Sequence, residues 1–184
     1  MKRPEVKQAY WIKGQRMIKA LITTFMVVFV LGACTVPEEA SNDGVYRPKV
    51  FRIYAGETSK IQFRHLDTVN AIRSASGLVP LELSAQLNAA AKTHSIDMAK
   101  QQRPWHFGSD GSSPIDRVVR TGYPGKMLGE NISETYENDT EILQVWMRDQ
   151  DAKSSILNPD ARFLGLSWFQ EKNGKIWWTQ LTGS

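Results

Sequence analysis

Apolar residues recur every three or four positions in four segments of the chain, the spacing that places them on one face of an α-helix. Ser84 can cap the second segment, and Ser113 with Pro114 can begin the third, because serine is a favoured N-cap and proline fits the first helical position. Gly122 is a stop signal for the third segment. With their caps, the predicted helices cover residues 65–74, 84–102, 113–122 and 140–148.

Runs of β-branched and aromatic residues predict strands, mainly near the C-terminus. Asn173 and Gly174 separate the last two runs and favour a hairpin turn, since both residue types tolerate a positive φ. The predicted strands cover residues 50–54, 128–133, 162–170 and 175–182. Helices precede a late hairpin, and this order is typical of a layered α+β domain.

Residues 1–33 have the three parts of an export signal. A basic leader precedes an apolar run over residues 20–31, which is too short to span a bilayer because a span needs about 20 residues. The sequence Leu-Gly-Ala-Cys at 31–34 resembles the bacterial lipobox, which implies that Cys34 is acylated and becomes the mature N-terminus. An ordinary secretory signal with a chance cysteine, or a short membrane anchor, remains open. Because the leader is long, translation could also begin at Met17.

Cysteine content and charge narrow the classes of protein further. Cys34 is the only cysteine, so an internal disulfide is excluded, and acylation would consume an otherwise lone thiol. The whole chain carries +4, whereas its first 33 residues carry +5 from six basic residues and one acidic residue, so the remainder carries −1. This balance gives no support for a nucleic-acid partner. Residues 34–59 are polar and aperiodic and are predicted to be a linker, followed by one domain over residues 60–184.

Few residues in this sequence are suited to catalysis or metal binding. A Gly-x-Ser-x-Gly nucleophile motif is absent. His94 lies on the apolar stripe of its helix and is predicted to pack in the core, whereas His65 is predicted to lie at the surface. His106 lies in a loop beside aromatic residues, where an imidazole can bind metal or exchange protons. Glu130 sits in an apolar strand, where a carboxylate needs a partner or a function. His106 and Glu130 are therefore the candidate pair, although a zinc site needs three or four ligands.

Ordered motifs extend from about Val69 to Gly183. They are Asn70-x-x-Arg73-x-x-x-Gly77-Leu78-x-Pro80-Leu81, His94-Ser95-x-Asp97-Met98, His106-x-Gly108-Ser109-Asp110-Gly111, Arg117, Gly122-Tyr123, Gly129-Glu130-Asn131-Ile132, Trp146-Met147, Ile156-Leu157-Asn158-Pro159, Gly165 and Trp178-Thr179-Gln180. Together they resemble the CAP superfamily, also called SCP-like domains. This superfamily includes cysteine-rich secretory proteins, venom antigen 5 and plant pathogenesis-related proteins, with many bacterial extracellular members.

The resemblance implies a three-layer α–β–α sandwich with a central cleft. In many relatives that cleft carries two histidines and two acidic residues, sometimes with a divalent metal. His106 falls on the first histidine position, Glu130 on the acid of the Gly-Glu-Asn motif, and Asp149 near the second acid. Ala152 falls on the second histidine position. Because alanine has no lone pair, a tight Zn²⁺ site is not expected, while weak Ca²⁺ or Mg²⁺ binding through Asp149 and Asp151 stays open.

These observations predict a membrane-tethered, extracytoplasmic binding domain with a degenerate cleft and no required cofactor. Its partner would be an envelope ligand or protein, or a lipid, since the resemblance implies sterol or lipid binding or protein interaction. In a cell with two membranes, Thr35 after the acylated cysteine favours the outer membrane. The late aromatic residues could line an apolar site, but core packing fits their strands better (Trp168, Phe169, Trp177 and Trp178).

Two other functions remain alternatives at the level of the sequence. A metal-assisted hydrolase or peptidase would use Glu130 with His106 to activate water. A structural envelope protein would have no ligand at all.

Overall fold

Five α-helices and four β-strands follow one another along residues 50–184, the part of the chain that the computed structural model describes. The predicted export signal and Cys34 lie outside the described residues. The helices are α1 (Thr58–Ala75), α2 (Ala85–Gln101), α3 (Pro114–Arg120), α4 (Asp139–Trp146) and α5 (Gln150–Ile156). The strands are β1 (Glu82–Leu83), β2 (Met127–Glu134), β3 (Phe163–Gln170) and β4 (Ile176–Gly183).

The four strands form one sheet in the order β1-β3-β4-β2. The short β1 runs parallel to the start of β3, whereas β4 is antiparallel to both of its neighbours. Glu130 of β2 lies opposite Leu181 of β4, and a bulge interrupts the ladder between Met127 and Gly129. The strand β2 is therefore an edge strand over its whole length.

Helices cover both faces of the sheet, as the side chains of the central strands show. Even-numbered residues of β3 and β4, such as Leu166 and Trp178, pack with apolar residues of α1, α4 and α5. On the opposite face, Leu181 packs with residues of α2 and α3. The three-layer α–β–α sandwich expected from the sequence is thus confirmed.

Buried tryptophans fill both layers of the core. Trp177 and Trp178 are fully buried, and the ring centroids of Trp168 and Trp178 lie 5.2 Å apart. The indole nitrogen of Trp178 donates to the Tyr136 carbonyl at 2.7 Å, so burial leaves its polar atom satisfied. Core packing is thus the role of Trp177 and Trp178, whereas Trp168, which is also mostly buried, lines a second cavity together with Phe169.

Helix starts follow the predicted capping residues. The Ser84 hydroxyl accepts from the Leu87 amide, and the Ser113 hydroxyl accepts from the Asp116 amide. One expectation about the helices is wrong, and one further helix has no prediction. The first helix begins at Thr58 rather than at residue 65. Residues 58–64 are helical, but their mostly polar sequence shows no clear helical period, so the pattern does not predict this first part. The helix α5 has no counterpart among the predicted elements.

The earlier start of α1 overturns the surface prediction for His65. This residue lies in the middle of the helix, is fully buried against the sheet, and joins Gln180 Oε1 through its Nε2 at 2.6 Å. Burial lowers the pKa of His65, and the Gln180 hydrogen bond opposes that effect only in part.

Residues 50–54 form no strand, contrary to the alternating pattern. Side chains hold the segment instead: the Arg52 guanidinium donates to the Glu171 carbonyl at 2.9 Å, and the Ile53 amide donates to Gln170 Oε1 at 3.0 Å. The β3–β4 hairpin is confirmed, but only Gly174 of its turn has a positive φ (102°). None of the helices among residues 50–184 is long and apolar enough to cross a bilayer.

Candidate functional site

Glu130 is the centre of a buried polar cluster beneath the β2 edge. Its side chain is 2% exposed and lies on the face of the sheet that α2 and α3 cover. Nη2 of Arg117 donates to both carboxylate oxygens, at 2.7 and 3.0 Å. The Nδ1–H of His106 donates to Oε1 at 2.9 Å, and His94 Nε2 lies 3.7 Å from the same oxygen. Four ionisable side chains therefore share one small volume.

The start of α3 places Arg117 in this cluster. Ser113 and Asp116 form a reciprocal capping box, and Pro114 occupies the first turn, so the short helix begins at a defined residue. Arg117 is 4% exposed, and its Nη1 donates to the Ser112 carbonyl at 3.1 Å. The guanidinium is thereby fixed with Nη2 directed at Glu130.

A tightly bonded loop between α2 and α3 holds His106. The Asp97 carboxylate accepts from both the amide and the hydroxyl of Ser109, each at 2.6 Å. Gly108 fits here because a Cβ at this position would collide with the Ser112 hydroxyl and lie 2.6 Å from an Asp110 oxygen. The His106 side chain is 51% exposed, so it forms the outer rim of the cluster.

His94 is the inner histidine of the cluster. It is fully buried, as the apolar stripe of its helix predicts, and its Nε2–H donates to the Trp105 carbonyl at 2.9 Å. Burial lowers the pKa of His94; the Glu130 carboxylate opposes this shift and the Arg117 charge adds to it. The imidazole is therefore held neutral near pH 7, next to a carboxylate that Arg117 already neutralises.

An open cavity of about 540 Å³ runs along β2 beside this cluster. His106 and Glu130 line one side of it, and residues of α4 and α5 line the other. Asp149, Asp151 and Ala152 belong to that second side. The structure thus brings the three site residues predicted from the sequence, His106, Glu130 and Asp149, to one cavity.

Asp149 has a structural task in addition to its place in the cavity. It is the N-cap of α5, and its Oδ1 accepts from the Ala152 amide at 2.8 Å. Ala152, at the position where the resembling family has a histidine, leaves space in the cavity wall. The Asn131 side chain donates to the Ala152 carbonyl at 3.0 Å and fixes this end of α5 to β2.

The donor set of the cavity does not fit a zinc ion. Both oxygens of Glu130 already accept from Arg117, so the Nε2 of His106 is the one donor of this pair that stays free to bind a metal. A Zn²⁺ site needs three or four converging protein ligands. Within residues 50–184, no three His, Cys, Asp or Glu side chains converge closely enough to hold a metal.

Arg117 and His94 belong to the ordered motifs, but the sequence alone does not place either of them beside Glu130. The signal for Arg117 is weak, although an arginine in the last turn of a short capped helix can reach a carboxylate on the next strand. The assignment of His94 to core packing is correct, but its distance to Glu130 depends on how α2 crosses the sheet. That crossing is a tertiary feature which periodicity does not encode.

Known proteins share this fold, and their similarity to this chain extends along most of the domain. The Bacillus subtilis protein YkwD is 30% identical over 118 residues, which cover 64% of this chain and 45% of that protein. An outer surface protein from Borrelia burgdorferi has a TM-score of 0.63 at 16% identity, covering 70% of this chain and 94% of its own. An extracellular SCP-domain protein from Bacillus anthracis also has a TM-score of 0.63, at 23% identity, covering 72% of this chain and 44% of its own.

The chain spans less than half the length of YkwD and of the B. anthracis protein, so these likenesses concern only part of each. The family model of the cysteine-rich secretory proteins matches residues 66–181. That stretch contains α2 to α5, nearly all of the sheet and every residue of the Glu130 cluster. The chain belongs to the CAP family of cysteine-rich secretory proteins.

Proposed function

We propose that this chain is a non-enzymatic, extracytoplasmic binding module, tethered to a membrane through an acylated Cys34. Its ligand occupies the cavity along β2, between His106 on one side and α5 on the other. The module needs no metal or other cofactor to do this.

One observation carries this proposal: the coordination of Glu130. A general base needs a lone pair directed at the water that it activates. The two oxygens of Glu130 accept three hydrogen bonds from Arg117 and His106, and its side chain is 2% exposed. Three of the roughly four acceptor positions on the carboxylate are thus occupied, so we assign Glu130 as an anchor for the loop of His106 and for α3 rather than as a base or metal ligand.

The cavity supports a binding role because it is large and polar. Its volume of about 540 Å³ suits a ligand of several residues or one small molecule. Asp151 and Ser154 of α5 line it and are exposed, whereas the half-buried Val145 and Ala152 supply apolar surface. A ligand can form contacts there without disturbing the buried Glu130 cluster.

The location is proposed from the N-terminal sequence and from the relatives. Residues 1–33 have the order of charge, apolar run and small residues that an export signal requires. Two of the similar structures carry names that describe an outer surface protein and an extracellular protein. In a cell with two membranes, Thr35 after Cys34 favours the outer one.

Native mass spectrometry of the full protein, purified from its own membrane, tests the proposal. The expected spectrum shows a diacyl or triacyl mass on Cys34, no bound metal, and a co-purified ligand. His106→Ala should retain that ligand with less than a tenfold loss of affinity, because His106 lines only the rim. Ser154→Trp should remove it by filling the cavity, whereas Lys153→Trp, on the same helix but outside the lining, should not.

The hydrolase alternative makes the opposite prediction. It requires turnover of a peptide library that disappears in Glu130→Gln while circular dichroism shows an intact fold. Such turnover would overturn the binding proposal. Failure to find any saturable ligand, with acylation intact, would instead favour a structural envelope protein.

A further inference from the structure

The two edges of the sheet differ in how far their outward backbone groups are hydrogen-bonded. Along β3, beyond the short β1, helix side chains form hydrogen bonds to three of the outward backbone groups. Asn88 accepts from the Leu166 amide at 2.8 Å, and Gln62 donates to the Leu166 carbonyl at 2.7 Å. Lys92 donates to the Trp168 carbonyl at 2.6 Å. These bonds obstruct the addition of a further strand at Leu166 and Trp168, and covering an edge in this way is a common protection.

Within residues 50–184, the β2 edge has no comparable protection. The Thr135 amide donates to the Ile176 carbonyl of β4, so odd-numbered residues of this strand point their backbone groups inward. Glu130 and Ile132 therefore point their backbone groups outward. The Ile132 carbonyl accepts from the Trp146 indole at 3.2 Å. Among residues 50–184, no group pairs with the Glu130 amide, the Glu130 carbonyl or the Ile132 amide.

These unpaired groups open into the cavity along β2. Leu128 to Ser133 line it, a stretch of about 20 Å at 3.4 Å per residue. A bulge at the start of this stretch bends the strand, a feature that is over-represented at sheet edges beside functional sites. The cavity is therefore a groove with backbone donors and acceptors at its base.

We propose that the ligand of this groove is an extended peptide that adds to the sheet as a fifth strand, beside β2. The inference rests on the proposed binding function and names its ligand class. Main-chain hydrogen bonds to Glu130 and Ile132 provide affinity, and alternate side chains of the peptide reach the two walls. The Trp146 indole blocks the Ile132 carbonyl and marks one end of the pairing.

The charge of the groove specifies which peptide fits. On the α5 wall, the exposed Asp149 and Asp151 carboxylates line the groove. On the other wall, the Glu130 charge is already paired with Arg117. Uncompensated negative charge is therefore found on one wall of the groove only, the wall formed by α5. A peptide with a lysine or arginine at every second position directs its cations to that wall.

Amide hydrogen exchange of the full acylated protein in detergent micelles, followed by NMR, tests the open edge first. The Glu130 and Ile132 amides should exchange at least tenfold faster than the Leu166 amide, which Asn88 caps. Protection of Glu130 equal to that of Leu166 would show that another part of this chain, or a second copy, already covers the edge. That result would overturn the proposal.

The second step adds a pool of capped hexapeptides with lysine at every second position, and a matched pool with N-methylated backbone amides. The unmethylated pool should slow exchange at Glu130 and Ile132 at least tenfold. The methylated pool should bind at least tenfold more weakly, because methylation removes the donors that a strand needs. Equal binding of the two pools, or no binding of either, would overturn strand addition.

A pair of variants tests the role of charge. Asp151→Asn should weaken binding of the lysine pool at least threefold at low salt, and the loss should shrink at high salt. Asp160→Asn, an exposed acid outside the groove, is the matched control and should leave binding unchanged. A different ligand in native mass spectra, with the edge amides still exchanging fast, would uphold the binding module and overturn only the peptide.

Discussion

At the scale of single residues, the Glu130–Arg117 pair defines what the cavity can do. Both side chains are almost fully buried, at 2% and 4% exposure, so each depends on the other for charge compensation. A buried ion pair contributes little to stability when compared with an apolar pair, but loss of one partner leaves an unpaired buried charge. Removing Arg117 should therefore lower stability by more than the loss of its own hydrogen bonds would.

Arg117→Met should lower the free energy of unfolding by about 3–5 kcal/mol, because it leaves the Glu130 carboxylate buried without a cation. Urea unfolding followed by circular dichroism measures the change. Arg120→Met is the matched control on the same helix: Arg120 and its partner Asp110 are 60% and 53% exposed, so the loss should stay within about 1 kcal/mol.

The double variant Arg117→Met with Glu130→Gln should recover at least half of the loss, since the amide carries no charge. An unchanged loss in the double variant would show that Arg117 acts through its packing and its bond to the Ser112 carbonyl, and that the charge of Glu130 is of minor importance.

At the scale of elements, α1 and α2 pack so closely on the sheet that one residue at each contact determines whether the helix fits. Gly165 of β3 faces α2, and a Cβ there would collide with the Leu87 backbone and lie 2.6 Å from the Asn88 amide nitrogen. On the other face, α1 presses the His65 ring against β4, where the imidazole joins Gln180. Each contact gives a test of how rigidly the layers are packed.

Gly165→Ala should destabilise the domain by at least about 1 kcal/mol, because the backbone atoms of α2 cannot move aside as a flexible side chain could. Gly56→Ala is the control, since a Cβ at Gly56 meets nothing within 4 Å. Thermal unfolding of both variants measures the difference. Equal melting temperatures would show that α2 can move away from β3 at little cost.

Stability should also fall as the pH is lowered below about 6.5, the ordinary pKa of histidine. The pKa values of buried His65 and His94 are lowered in the folded state, so the unfolded chain binds more protons as the pH falls through that value. Their contribution is therefore complete above pH 6.5 and is lost below it, at up to about 1.4 kcal/mol per pH unit for each histidine.

Urea unfolding between pH 8 and pH 5.5 measures this slope, and His65→Gln should reduce it by the share of one histidine. Carboxylates with a lowered pKa, such as Asp116 and Glu171, lose their contribution only below their ordinary values of 3.8 and 4.5, outside this range. Parallel profiles for the wild type and His65→Gln would contradict the assignment to His65.

The elements differ in how well their sequences predict them. Ser84 and Ser113 mark helix starts correctly because a cap is a local interaction, complete within four residues. The start of α1 at Thr58 and the whole of α5 escape prediction, since their polar residues show no strong period and their apolar contacts come from distant strands. The site follows the same rule: His106, Glu130 and Asp149 come from motifs, whereas the Arg117 contact depends on how α3 lies beside β2.

At the scale of the whole molecule, the proposed function requires two parts, a binding groove along β2 and a membrane anchor at Cys34. The domain family and the fold are established from residues 66–181, whereas the anchor rests on the sequence around Cys34. Once residues 1–33 are removed, the chain carries a net charge of −1, so attraction to an anionic membrane surface offers little retention. Acylation is therefore the interaction that would hold the protein at the membrane.

Cys34→Ser should abolish that retention. Each buried methylene of an acyl chain contributes about 0.8 kcal/mol, so two or more chains give stable anchoring that salt does not reverse. Wild-type protein should remain with the membrane fraction in 1 M salt and incorporate an alkyne-tagged palmitate. Cys34→Ser should incorporate none, and any exported domain should appear in the extracytoplasmic fluid. Ser41→Ala, in the predicted linker, is the control for a mutation near the anchor and should behave as the wild type. Tagged palmitate in Cys34→Ser, or salt-resistant retention without any acyl group, would refute the lipid anchor and leave the groove on β2 untouched.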